Sequence, residues 1–440
     1  MKEENKYSLN DGVRINFNTE GKHHFLGYYD KCPWSKDGRF LLALETDFLD
    51  RLPNGRDRAD IGVVDLKGDR IFRKIAETRA WNWQQGCRLQ WLGPDFNTRV
   101  IFNDFRGGKF VSVILNVIFG REEKVVPFPI YDVRPDGRSA LSFNFSRLDA
   151  VREGYGYKGV EDYSLAEGKL ESDGIYSVDL ENGTVALKIS LAQLCKEYFV
   201  DSMNEGKHWA DQPTLNFDGT RFAFLHRWQT KNGGMHSRLY VADLGTMKPK
   251  ILLDSGMASH FAWKNNDELL IWARPAGTSA SVGKTGFARK LLVPIYHKIF
   301  KSSPALRQKI SGDAFLLFNL NGEPKDFAVK PEAIGRGILK EDGHCSFSPD
   351  GKRLMTDTYP EREHWRVLQI LFAPEWKKLT EVGKFYSLPD EKYGTKDDWD
   401  LSNLRADLHP RFNRDGTQIC IDSVHEGSRQ IYVIELNGNI

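Results

Sequence analysis

A short apolar strand, a turn that is Asp-Gly or Asn-Asp in six of the copies, and a second apolar strand recur seven times along the chain. The copies begin with PWSKDGRFLLAL at Pro33, CRLQWLGPDFNTRVIF at Cys87, YDVRPDGRSALSF at Tyr131, PTLNFDGTRFAFL at Pro213, HFAWKNNDELLIW at His260, CSFSPDGKRLMT at Cys345 and HPRFNRDGTQICI at His409. Third apolar runs follow: IGVVDL, VSVILN, GIYSVDL, RLYVADL, AFLLFNL, VLQILF and QIYVIEL. In RFAFLHRW or QICIDSV, residues of opposite character alternate with period two, which marks strands and not helices. Copies about 45 to 85 residues apart, each a sheet that can bury its faces only against its neighbours, predict an all-β, seven-bladed β-propeller of four-stranded blades. Because the sequence ends just after a third run, the last blade is expected to borrow a strand from Val13 to Phe17 and so leave no open edge.

Length alone, 440 residues, would suggest about three domains. The repeats instead make residues 1–440 one ring. A 40% apolar and 28% charged composition fits a globular chain, and Lys+Arg 62 against Asp+Glu 60 gives no overall field that selects a nucleic acid or a membrane. The five cysteines are widely spaced and form no CxxC pair, so they read as small buried hydrophobes. With no apolar leader at the N-terminus, the expected location is cytoplasmic.

The balanced charge conceals one segment. Residues 281–311, inside the fifth repeat, abandon the strand pattern, and 284–310 hold seven basic residues and no acid, which leaves the rest of the chain at −5. Phe287, Leu291, Ile295 and Ile299 recur every four residues, so a short amphipathic helical insertion broken near Pro294 is expected. Such a segment suits an anionic membrane surface or an acidic protein, placing the protein peripherally at the membrane; packing on the propeller side with solvated lysines is the alternative. No nucleic-acid recognition motif accompanies the charge.

In a propeller, the residues before each first strand and after each second strand converge at one face of the axis. Here those positions are polar and rich in histidine. They include His23, His24, Tyr28, Tyr29, Asp30, Gln85, Tyr131, His208, Trp209, Asp211, His260, His344, Asp407 and His409 on one side of the repeats. On the other are Glu45, Asn103, Arg147, His226, Arg227, Arg274, Asp357, Asp422 and His425. Caps and satisfied turns explain such residues singly; their shared face argues for a pocket. His208, Trp209, His226, Arg227 and Trp228 suit stacking and hydrogen bonding to a sugar, or else the tryptophans pack between blades. The insertion REGYGYKGVEDY, with Arg152, Tyr155 and Tyr157, is expected to overhang the channel mouth.

HHFLGYYDKCPWSKDGRFLLALE, AWNWQQGCRLQWLG, PIYDVRPDGRSALSFNFSRL, FLHRW, GHCSFSPDGKRLMTDTYP and DLHPRFNRDGTQICIDSVHEG together resemble the propeller polysaccharide lyases, above all the ulvan lyases and more distantly the oligogalacturonate lyases. The resemblance spans His23 to Leu436. It implies an anionic, uronate-containing polysaccharide or oligosaccharide as partner, cleaved by β-elimination. A positive group neutralises the C5 carboxylate, a base removes the α proton, and an acid protonates the leaving oxygen. The ulvan lyase pattern implies Arg147 as neutraliser and Tyr131, sixteen residues upstream, as base or acid, its pKa lowered by the guanidinium. Where those lyases carry a histidine pair, this chain has Gln85 and Asn103, amides that bind a sugar or brace turns but transfer no proton. The oligogalacturonate lyase pattern implies a divalent metal, Zn or Mn, with His344, Asp357, Asp407 and His409 as ligands; the family's glutamine position falls on Leu404. A non-catalytic glycan- or protein-binding propeller at a membrane face, as in cell-surface polysaccharide assembly, is the competing expectation.

Overall fold

The structure is a computed structural model that describes residues 6–162, 165, 168–231, 233–275, 308, 311–322, 330–360, 364–387 and 406–437. The basic insertion expected at 281–311 therefore lies outside the described residues, apart from Gln308 and Ser311. Among the described residues no helix is long and apolar enough to cross a membrane.

The strands form seven sheets, six built from four strands and one from five. Each is a meander of successive strands, and adjacent sheets pack on one another around the ring. First strands are short at Gln90–Trp91, Asp132–Val133, Ser346–Phe347 and Arg411–Phe412. The inner strands are buried on both faces, as in Arg221–Gln229 and Gln418–Ser423, because a blade is covered by a neighbour on each side. Outer strands such as Arg121–Val126 and Val185–Ser190 are largely exposed. The core is accordingly a series of layers between blades: one joins Leu42, Leu44, Trp83, Val100 and Phe102, another Met355, Leu368, Ile419 and Ile421.

The Asp-Gly signature closes the turn between first and second strands. Asp37 accepts from Arg39 N at 3.0 Å and from Ser35 Oγ at 2.6 Å, and Gly38 takes φ +67°. Ser348, Asp350 and Gly351 repeat this in the sixth blade, where Gly351 also has φ +67°.

Ring closure uses more of the N-terminus than expected. Val13–Asn18 pairs antiparallel with Gln430–Leu436 as the fourth strand of the seventh blade. Tyr7–Leu9 then pairs with Gly383–Phe385 as a fifth strand on the sixth blade. Two successive blades are thus clasped by one segment.

The axis is filled by the chain leading into the first blade's hairpin. Arg411 donates to Gly27 O and, at 3.0 Å, to Tyr28 O. Gln212 Nε2 donates to Tyr28 Oη at 2.8 Å, and Tyr29 Oη donates to Phe261 O at 3.0 Å. Arg88 grips Asp30 at 2.7 and 3.1 Å, and Lys31 pairs with Asp132. Residues 27–31 therefore touch the second, third, fourth, fifth and seventh blades. Only glycine fits at 27: φ is +122°, and a Cβ there would stand 2.7 Å from the Gln85 carbonyl carbon and oxygen. Gly27→Ala is expected to cost about 2 kcal/mol or more, read as a lower urea midpoint at unchanged slope.

Candidate active site

Three residues that lead into or lie in first strands adopt left-handed backbone and turn their side chains to the axial segment: Arg88 at φ 55°, Gln212 at 54° and His409 at 43°. Such conformations are uncommon for residues other than glycine and gather at functional sites. His409 brings its ring to 5.2 Å from that of Tyr28 and 4.3 Å from that of His344. Both its nitrogens are buried with no hydrogen-bond partner, and burial holds its pKa well below the ordinary imidazole value.

His344, Asp407 and His409 each offer a ligand atom within 4.8 Å of the others. His344 Nε2 lies 4.0 Å from Asp407 Oδ2, while Arg366 donates to Asp407 Oδ1 at 2.8 Å. Asp357, expected as a fourth ligand, stands outside this group. Its carboxylate takes His344 Nδ1 at 3.0 Å and His344 N–H at 2.7 Å. That is the part of the residue that orients a ligating histidine, leaving Nε2 as the donor. His260 packs its ring 4.3 Å from His344 and places Nδ1 3.0 Å from Asp342. Burial lowers the His260 pKa, against the opposing pull of Asp342, so its ring is neutral at pH 7.

Beside these rings sits a basic group. Arg227 Nε lies 3.2 Å from Asp211 Oδ2, and Arg152 Nη1 lies 3.8 Å from the same oxygen. Arg152 also stacks on Tyr155 at 3.5 Å. Two guanidinium groups thus share one carboxylate, all within electrostatic reach of Tyr28. Burial works against the charge on Arg227, and Asp211 supports it.

The expected pairing of Tyr131 with Arg147 is not the one the fold makes. Asn144 caps a helix, Phe145–Val151, so the chain leaves the strand before Arg147. The Arg147 guanidinium pairs with Asp173 and with Asp162 at 3.3 Å, and donates to His208 O at 3.1 Å and Lys169 O at 3.0 Å. Tyr131 instead lies under Arg88, whose guanidinium carbon is 3.7 Å from the ring centroid. Its hydroxyl is buried without a partner. Burial outweighs Arg88 and pushes the phenol well above its ordinary value, the reverse of the lowering expected. Tyr28 is pushed the same way for the same reason.

The remaining expected residues divide. Gln85 is buried with both side-chain amide atoms unpartnered, and so is the Trp209 indole nitrogen. Asn103 is spent on structure: it donates to Ile130 O at 2.8 Å and accepts from Ile130 N at 2.7 Å, bracing the entry to the third blade. His208 and His226 contact each other at 3.0 Å. In the register of the fourth blade His208 faces Trp228 and Trp209 faces Arg227, so the histidine pair lies on the opposite face of the sheet from Arg227 and Asp211. Tyr155 and Tyr157, expected in an overhanging lid, are buried; Tyr157 stacks on Phe145 at 4.4 Å. Arg88, Gln212, Asp342 and Arg366 are site neighbours that the repeat rule missed.

An oligogalacturonate lyase in complex with manganese superposes with a TM-score of 0.57 at 13% identity, covering 98% of both chains. The oligogalacturonate lyase of Vibrio parahaemolyticus gives the same score and identity, over 98% of this chain and 96% of that one. The fold is that of the oligogalacturonate lyases. At 13% identity the likeness extends to fold alone. The propeller domain of the Trilobed protease from Pyrococcus furiosus also spans 98% of the chain, at TM-score 0.47 and 8% identity. No protein-family profile and no curated protein matches the chain. The ulvan lyase side of the sequence resemblance finds no support in these matches.

Proposed function

We propose that the axial site binds an anionic, uronate-containing oligosaccharide and cleaves it by β-elimination. The carrying observation is the pair of guanidinium groups, Arg152 and Arg227, on the single carboxylate of Asp211. Beside the neutral rings of Tyr28 and His260 this leaves uncompensated positive charge, which a substrate carboxylate would match. Arg227, aided by Arg152, neutralises that carboxylate and so eases loss of the α proton. His260, neutral and held at Nδ1 by Asp342, leaves Nε2 to accept that proton. The buried phenols of Tyr131 and Tyr28 stay protonated at neutral pH and suit donation to the leaving oxygen.

His344, Asp407 and His409 are a donor set fit for Mn or Zn, with the unpartnered nitrogens of His409 as the clearest sign. A bound cation there would supply a Lewis acid at the substrate carboxylate. The manganese complex of the oligogalacturonate lyase with the same fold supports this reading.

The test is incubation of the protein with a panel of uronate oligosaccharides, with Mn²⁺ and with chelator. An ultraviolet-absorbing unsaturated uronate product is expected with Mn²⁺ and lost on chelation. Absence of that product from every substrate in both conditions overturns the lyase reading.

A further inference from the structure

Cys195 is not the inert apolar filler that its isolation in the sequence suggests. It lies on the helix Leu191–Glu197 that leads from the third blade to the fourth, and its Sγ is 3.5 Å from His208 Nδ1. His226 Nε2 is 3.0 Å from the same nitrogen. One ligand atom from each of the three residues lies within 4.8 Å of the others.

The tautomer of His208 is fixed by its other side. Nε2 sits 3.1 Å from Met203 O, so the ring proton belongs there and Nδ1 carries the lone pair. That single lone pair faces both the Cys195 thiol and the His226 ring. His226 is wholly buried, and its Nδ1 has no protein partner. Hydrogen bonding within the protein therefore leaves this group under-satisfied: two donors compete for one acceptor.

We propose that Cys195, His208 and His226 form a zinc site. Tetrahedral zinc with bonds of about 2.0 Å to nitrogen and about 2.3 Å to sulfur separates its ligand atoms by roughly 3.3 Å for two nitrogens and 3.5 Å for nitrogen and sulfur. The Cys195 Sγ to His208 Nδ1 spacing matches, the two imidazole nitrogens need to part by a few tenths of an ångström, and Sγ and the His226 nitrogen lie within 4.8 Å of each other. On binding, the zinc–sulfur bond forms as Cys195 releases its proton to solvent, and the thiolate offsets part of the added charge. The nearby buried cations are already committed, Arg238 to Asp254 at 2.7 Å and Tyr198 O at 2.5 Å, and Arg147 to Asp173 and to Asp162 at 3.3 Å. Cys195 is half-buried, so a water can complete the coordination. Met203 O supplies the outer contact that orients a ligating histidine.

This site is separate from the axial one. It sits on the opposite face of the two inner strands whose other face presents Asp211 and Arg227. Its role is structural: it pins the helix leading into the fourth blade to those strands and so fixes the register that places Arg227. The inference does not depend on lyase activity.

Cobalt(II) added to the metal-free full-length protein tests it. Thiolate coordination gives an intense near-ultraviolet charge-transfer band, and the axial group contains no cysteine. The band is expected in the wild type, displaced by added zinc, and absent in Cys195→Ser. Zinc per chain after growth with zinc is expected to fall by one in that variant. A wild type that is folded by circular dichroism but shows no such band overturns the site. So does a Cys195→Ser variant that keeps the band. Because the first measurement uses the wild type, the site stands or falls on it even where the variant fails to fold.

Discussion

Replacing Asp422 with alanine is expected to lower the unfolding free energy by about 3–5 kcal/mol. Asp422 is fully buried between two buried guanidinium groups, with Arg429 Nη2 at 3.2 Å and Arg411 Nη1 at 3.5 Å. Leu26 N also approaches its carboxylate at 3.4 Å. Alanine would remove a carboxylate that both guanidinium groups approach, weakening the compensation of two like charges in a low-dielectric seam. The loss would fall where the ring closes. Arg411 holds the Gly27 and Tyr28 carbonyls, and Arg429 reaches the Trp83 carbonyl at 3.2 Å and stacks over Phe25 and Trp83. Asp422→Asn keeps an oxygen acceptor but removes the charge, so it should lie between wild type and alanine. Urea unfolding checks the order; asparagine and wild type unfolding at the same midpoint would show that hydrogen bonding, not charge, holds the seam.

That seam also shows where sequence reasoning works and where it stops. Period-two alternation recurs in every blade and Asp-Gly turns in five of the seven, so the copies announce a ring and its closure by Val13–Phe17. Tyr7–Leu9 carries only three residues of pattern, and its partner edge on the sixth blade is invisible without the fold. The rule that strand starts and ends converge brings His344, Asp407 and His409 together, because backbone topology alone sets where those positions go. It fails at Arg147 because a sixteen-residue spacing assumes that the second strand continues. The Asn144 cap, a signal present in Asn-Phe-Ser-Arg, starts a helix instead. Arg88 was hidden for another reason: its left-handed backbone, not its place in the repeat, turns it onto Tyr131. Tertiary contacts of this kind leave no periodic trace.

Arg227→Gln is expected to reduce kcat/KM for a uronate substrate by about 10²–10³-fold, equivalent to roughly 3–4 kcal/mol of transition-state stabilisation. Charge builds on the substrate carboxylate as the α proton leaves, so a guanidinium beside it gains most in the transition state, and kcat should carry much of the loss. Glutamine preserves length and hydrogen bonding while removing the charge, which isolates the electrostatic part. Arg152 would then be left alone with Asp211, a neutralised pair with no surplus for the substrate. Arg227→Lys restores the charge but not the forked geometry, and partial recovery is expected. The control is stability: Arg152 still compensates Asp211 when Arg227 is replaced, so glutamine should shift the urea midpoint less than Asp422→Ala. Steady-state kinetics of the three proteins on one oligosaccharide separate the alternatives. A lysine variant no better than glutamine would mean that shape, not charge, is what Arg227 contributes; a glutamine variant with wild-type kcat would remove Arg227 from the chemistry altogether.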